Sequence, residues 1–253
     1  MQLIYRPLMQ RFACATAVAL LALGVSTGAV AEPLRVAIIG NVAPLSYVDD
    51  KGKPSGFAVE LANAICDTIG AECSYHVVPL DRVIDALASH EYDFASVNLL
   101  VTPERQRKVI FSKAFYRSVS VWLARPSVTP GSKGITVGAV GGSAQARYVE
   151  LQGWKLHPVG THLDLPAALS SGKVDAALIP MASSVLLMQH ESTSRLGLQT
   201  IVISDPSVSG DVALSIAPQR ADLRPRIDAA IDRIKADGRF DRINSKYLPF
   251  RLQ

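Results

Sequence analysis

Hydrophobic periodicity switches between two and 3.6 residues again and again along this chain, and that alternation confines it to a small set of folds. The run Leu34-Arg35-Val36-Ala37-Ile38-Ile39, stopped by Gly40, reads as a buried strand. Phe57, Leu61, Ala64, Ile65 and Ile69 then fall near one face of a helix that Gly70 ends. Residues 74–78 read as a second strand, 83–88 as a helix and 94–99 as a third strand. This β-α-β-α-β order predicts an α/β fold with a mainly parallel sheet flanked by helices.

The pattern then recurs. Residues 135–140 form a strand pattern ending in Gly141-Gly142, followed by helices over 143–151 and 165–169 and a strand over 176–179. Ala86-Leu87-Ala88-Ser89-His90-Glu91-Tyr92-Asp93-Phe94-Ala95 can be laid over Ala168-Leu169-Ser170-Ser171-Gly172-Lys173-Val174-Asp175-Ala176-Ala177. Ala-Leu-x-Ser, Asp and x-Ala recur at the same offsets, which suggests two lobes built on one plan. Two extended segments, 118–124 and 211–216, flank the second half, and helices over about 224–235 and 241–247 close the chain. The expected organisation is lobe one from 32–118 and 211–253, lobe two from 119–210, and a two-strand hinge where the chain crosses. Such hinges let two-lobed clamps close on ligands.

Arg6 and Arg11 precede an apolar run from Phe12 to Leu23, and Ala29-Val30-Ala31 follows, ahead of Glu32-Pro33. This is the form of a secretory signal with an A-x-A cleavage site, so residues 1–31 are expected to be removed and the mature chain to be periplasmic. The run is short against the about 20 residues of a membrane span; a retained anchor is the alternative. Arg6 and Arg11 leave with the signal, so the formal charge falls from +4 to +2. With no Lys/Arg block, nucleic acid is not an expected partner. Cys66 and Cys73 remain, and an even pair in an exported chain reads as a disulfide or as two buried thiols. His76, His90, His157, His162 and His190 lack metal-ligand spacing and read as surface or satisfied histidines, and no cofactor is expected. Gly142-Ser143 lacks the G-x-S-x-G elbow of a nucleophilic hydrolase.

Five segments together resemble one family. Gly56-Phe57-Ala58-Val59-Glu60-Leu61-Ala62 is similar to a G-F-D-x-D-L-A motif. Tyr92-Asp93-Phe94-Ala95, with Val101-Thr102-Pro103-Glu104-Arg105-Gln106, is similar to a D-x-x-x…T-x-E-R segment. Ile110-Phe111-Ser112-Lys113-Ala114-Phe115-Tyr116 is similar to F-S-x-P-Y, and Gly138-Ala139-Val140-Gly141-Gly142-Ser143-Ala144-Gln145 to the strand-turn-helix that opens lobe two. Ala236-Asp237-Gly238-Arg239-Phe240-Asp241 with Lys246-Tyr247-Leu248 is similar to the C-terminal motif. In order and spacing they resemble the extracellular solute-binding proteins of family 3, the polar-amino-acid-binding components of ABC importers. The resemblance implies a type II periplasmic-binding-protein fold, a monomer, a membrane permease as partner, and a Cys66–Cys73 disulfide like that of the histidine- and lysine/arginine/ornithine-binding members. It also implies that Arg105 forks onto a ligand carboxylate, a strong charge-assisted contact. The turn at Gly142-Ser143-Ala144 would offer helix N-terminal N–H groups to the same anion.

Other positions depart from the family. Its members hold the α-ammonium with Ser or Thr near the T-x-E-R segment and with a lobe-two Asp; here those positions read Asn98, Leu100 and Pro180. The stacking aromatic near the first strand reads Val42, with Tyr47 close by, and the acid of G-F-D reads Ala58. An ammonium buried without a carboxylate is costly. The expected ligand is therefore a carboxylate without an ordinary α-ammonium, held by Arg105, Ser143 and Ala144. Asn98 would accept one bond, Leu80, Leu100 and Pro180 would form apolar walls, Tyr47 would lie beside the ligand, and Asp81 and Arg82 would sit at the mouth. An offset of one or two residues in the alignment would restore an ordinary amino acid. Two other readings remain open: a dehydratase acting on a cyclic carboxylate, similar in fold to cyclohexadienyl dehydratase, and a sensing or docking accessory protein. The first would need a positioned acid or base in the cleft, and neither Asp93 nor Asp175 reads as one.

Overall fold

The computed structural model describes residues 32–252. The expected export signal, residues 1–31, lies outside the described residues. Lobe one begins with β1 (Glu32–Ile38), β2 (Asn41–Val42), β3 (Ser46–Val48) and β4 (Pro54–Ser55). Next come α1 (Phe57–Ile69), β5 (Ala71–Val77), α2 (Val83–Ala88), β6 (Phe94–Leu100), α3 (Pro103–Gln106), β7 (Ile110–Phe111) and β8 (Tyr116–Ser118). Lobe two holds β9 (Ser120–Ala124), β10 (Thr136–Val140), α4 (Ala144–Leu151), β11 (Lys155–Val159), α5 (Leu165–Ser170), β12 (Ala176–Pro180), α6 (Met181–Met188), α7 (Glu191–Ser194) and β13 (Gln199–Ile203). The chain returns through β14 (Gly210–Ile216) and ends in α8 (Leu223–Ala236) and α9 (Arg239–Tyr247). No helix among the described residues is long and apolar enough to cross a membrane.

Two sheets carry the fold. The first runs β5-β1-β6-β14-β7 with β8 also on β14; the second runs β11-β10-β12-β9-β13. Each is parallel over three strands and antiparallel where a crossing strand joins it. Helices bury apolar residues against both faces. Leu61, Ile65, Ile227 and Ile231 pack on one face of the first sheet, and Val83 and Leu87 on the other. In the second sheet, Leu165 and Leu169 cover one face and Val149 the other. Cys66 and Cys73 are disulfide-bonded, which ties the last turn of α1 to β5.

The repeated sequence segment has a repeated physical role. The Asp93 carboxylate accepts from the Arg35 N–H at 2.7 Å, and the Asp175 carboxylate from the Thr136 N–H at 2.8 Å. Each aspartate thus ties the start of its own strand to the backbone of the neighbouring parallel strand, at Arg35 in β1 and at Thr136 in β10. The registers match as well: Val36 lies opposite Phe94 and Ala37 opposite Ala95, as Val137 lies opposite Ala176 and Gly138 opposite Ala177. Even the turn conformations agree, with His90 at φ 61° where its counterpart Gly172 has φ 71°.

Asp93 is the hub of a larger ion-pair network. Its carboxylate also meets the Arg35 and Arg220 guanidinium groups and the His90 ring, and Glu32 bridges Arg220 and Arg226. Burial acts to raise the Asp93 pKa, but the Arg35 and His90 hydrogen bonds outweigh it and hold it at about 2. Removing one member of a buried pair leaves its partners uncompensated. Asp93→Ala is expected to cost about 3 kcal/mol of stability at pH 7, measured as a lower urea midpoint. Because the folded-state pKa is depressed, this contribution is present above about pH 4 and is lost as pH falls toward about 2. The gap between wild type and variant should therefore narrow over that window.

Candidate functional site

The parallel strands of both sheets run toward the cleft, and ligands of α/β sheets bind beyond the carboxyl ends of strands. A cavity of about 570 Å³ lies there. Its wall is built from residues at or just past the ends of β1, β5, β6, β10, β11 and β12, namely Ile39, Val78, Asn98, Val140, Val159 and Pro180. Asp93 and Asp175 precede β6 and β12, so both acids lie at the opposite ends of their strands.

Arg105 faces this cavity from α3. Thr102 caps the helix by accepting from the Arg105 N–H at 3.3 Å, and Pro103 occupies its first turn. The guanidinium donates to the Leu100 carbonyl at 2.9 Å and, across the cleft, to the Gly142 carbonyl at 3.2 Å. None of the ion pairs among the described residues includes it. Burial pulls its pKa down to about 10, so it stays charged at neutral pH but is poorly solvated. Two of its five N–H donors are used, and the rest are free for an anion.

On the facing lobe, Ser143 caps α4 by accepting from the Ala146 N–H at 3.0 Å. Ser143, Ala144 and Gln145 line the cavity at this helix start, where intrahelical hydrogen bonding leaves N–H groups free. The Gln145 amide donates to the Ser120 hydroxyl at 2.8 Å and ties α4 to the first strand of lobe two. Gly142 has φ 75°, and a Cβ built on it would come within 2.5 Å of the Asp81 Cα. The two lobes therefore meet backbone to backbone at this point.

The structure brings Leu80, Asn98, Leu100, Arg105, Ser143, Ala144 and Pro180 together on the cavity wall. Exposed Asp81 also borders it. Tyr47 does not. In β3 successive side chains alternate, so Ser46 and Val48 face the cavity and Tyr47 is turned away. Arg82 is not part of the wall; its side chain lies 3.7 Å from Glu91. Val42, the position of the missing aromatic, does line the cavity.

One residue corrects the sequence reading and a second adds to it. His162 is neither a surface nor a satisfied histidine: it lines the cavity, and its Nδ1 is enclosed with no partner. Burial pulls its pKa down to about 4, so the ring is neutral at pH 7. Tyr116, at the end of the Phe-Ser-x-x-x-Tyr segment, also lines the cavity, and burial holds its phenol well above the usual range. Asn98 is there through a backbone device. It has φ 54°, and the β6–β14 register shifts beside it between Ala213 and Ser215. Asn tolerates this left-handed conformation better than most residues, and such bulges re-aim side chains next to binding sites.

Gly142→Ala is expected to hold the lobes apart and weaken ligand binding at least about tenfold, a modest 1.4 kcal/mol for such a contact; titration calorimetry measures it. The His162 pKa is depressed on folding, so the unfolded chain takes up a proton first as pH falls. Stability should drop between about pH 6.5 and about 4. His162→Phe should remove this part of the acid sensitivity in thermal melts.

Comparisons with known proteins bear on the fold and the family. The model of bacterial extracellular solute-binding proteins, family 3, matches residues 34–250. The arginine-binding periplasmic protein of Mannheimia haemolytica is 26% identical over 211 residues, covering 81% of this chain and 86% of its own. Among solved structures, a Salmonella typhimurium periplasmic binding protein with high arginine specificity superposes with a TM-score of 0.75 at 23% identity, covering 86% of this chain and 100% of its own. An ancestral amino-acid-binding protein, a precursor of cyclohexadienyl dehydratase, superposes with a TM-score of 0.72 at 19% identity, covering 85% and 95%. At these identities the structural likenesses establish a type II periplasmic-binding-protein fold. With a match over nearly all of the described residues, the chain belongs to the bacterial extracellular solute-binding proteins, family 3.

Proposed function

We propose that this protein captures a small monocarboxylate with an uncharged, largely apolar body in the periplasm and delivers it to the membrane permease of an ABC importer. In this reading residues 1–31 are removed on export, 32–118 and 211–253 form one lobe, 119–210 form the other, and the protein acts as a monomer. The observation that carries it is the charge inventory of the cavity. Arg105 is the one permanently charged group within it, and the one carboxylate on its wall, Asp81, is exposed. The ligand must supply a negative charge and has no buried counter-ion for a positive one. The relatives named for arginine match the chain in fold and family, but with Asn98, Leu100 and Pro180 at these positions the described cavity wall has no buried carboxylate to hold an ammonium. Aliphatic side chains such as Val42, Leu45, Val77 and Leu80 make the remaining wall suited to an apolar body.

A second reading, catalysis on a cyclic carboxylate, is favoured by the likeness to the ancestral dehydratase precursor. It lacks an enclosed carboxylic acid to act as general acid or base.

Thermal melts against a panel of amino acids and organic acids test the proposal. A ligand at a hundredfold excess over its Kd stabilises the folded clamp by about 2.7 kcal/mol. Shifts are expected with uncharged-bodied monocarboxylates and should vanish in Arg105→Ala. A larger shift with L-arginine would overturn the proposal, and turnover of prephenate would favour the enzyme.

A further inference from the structure

Two features of the cavity are unexplained by a carboxylate on Arg105. The Oδ1 of Asn98 and the Nδ1 of His162 are both enclosed without a hydrogen-bond partner. Both residues line the cavity, Asn98 from lobe one and His162 from lobe two. A buried polar group left unpaired is costly, and native proteins rarely tolerate one without cause. Asn98 additionally occupies a left-handed backbone conformation in a bulged strand, which places an amide where an aliphatic side chain would fit the apolar wall.

The chemistry of the pair is specific. Asn98 is neutral, and the His162 ring is neutral at pH 7 because burial opposes its charge. Neither therefore supplies the negative charge that an ammonium needs. Each can both donate and accept, one through its amide and the other through its two ring nitrogens. A secondary amide suits such a pair. It is planar and usually trans, so its N–H and C=O point in opposite directions, and one group can answer two facing walls.

Resting on the carboxylate reading above, we propose that the cavity selects amide-bearing monocarboxylates of the N-acyl amino acid class, with the carboxylate on Arg105 and the neutral amide hydrogen-bonded to Asn98 and His162. The aliphatic side chain then lies against Val42, Leu45 and Leu80. The two residues determine specificity by rewarding a neutral nitrogen over a charged one.

Three probes that share an isobutyl body and a carboxylate isolate the nitrogen: N-acetyl-L-leucine, L-leucine and 4-methylpentanoate. Calorimetry at pH 7 on the exported protein, freed of bound solute by dialysis from urea, should rank N-acetyl-L-leucine first. It should lead 4-methylpentanoate by about a hundredfold, two net hydrogen bonds at about tenfold each, with L-leucine weakest. In His162→Phe, and separately in Asn98→Gly, which keeps the left-handed backbone, the lead of N-acetyl-L-leucine over 4-methylpentanoate should shrink by about tenfold. If 4-methylpentanoate, or 2-hydroxy-4-methylpentanoate added as a fourth probe, equals N-acetyl-L-leucine, the amide assignment is overturned while the carboxylate reading stands. If L-leucine binds best, or none of the probes binds, both are overturned.

Discussion

A guanidinium held in a poorly solvated cleft without a carboxylate is the constraint around which this molecule is arranged. Arg105 keeps its charge at neutral pH, yet its two hydrogen bonds go to peptide carbonyls, of Leu100 in its own lobe and Gly142 in the other. Carbonyl dipoles offset part of the cost of burying a cation; an anion offsets far more. One of those carbonyls comes from the facing lobe, so the meeting of the lobes adds a dipole to the solvation of the cation. Everything else at the cavity wall is compatible with that arrangement, being aliphatic, neutral and polar, or exposed.

Asp93 and Asp175 serve the fold. Asp93 and Asp175 anchor the two central strands at the ends away from the cavity, through the same carboxylate-to-backbone contact. Asp93 also gathers Arg35, Arg220 and His90 into one network. Backbone anchoring and the cavity thus lie toward opposite ends of the strands. The strand starts carry Asp93 and Asp175, while the cavity at the strand ends holds Arg105 and is bordered by exposed Asp81.

This separation explains what was legible in the sequence. The central strands and the helices α1, α2 and α8 were readable because each buries a regular apolar face, as Leu61 and Ile65 do in α1. Cavity positions set by motif, such as Arg105 and Ser143, or by strand ends, such as Leu100 and Pro180, followed from the same frame. The elements that escaped lack a periodic apolar signal. β11 reads Lys155-Leu156-His157-Pro158-Val159 and lies at the edge of its sheet, where a proline is tolerated. α6 begins after a proline and has no clear polar face. Side-chain direction was the other hidden quantity. Tyr47 points away because strand alternation turns it out, and nothing in sequence spacing marks His162 as enclosed. Only the tertiary meeting of the two lobes makes that histidine a cavity residue.

The chain leaves the first sheet after Ser118, enters the second at Ser120, and returns at Gly210, directly opposite Ser118 in the β8–β14 pairing. Ser120 donates its hydroxyl to the Val208 carbonyl, and its N–H meets the Ser209 hydroxyl at 3.3 Å. The entrance and exit of lobe two are therefore stitched side by side. A domain whose two ends coincide behaves as a graft: it can be exchanged without disturbing the host's core. Arg105 belongs to the host and His162 to the graft, so one wall of the cleft can be altered without altering the other.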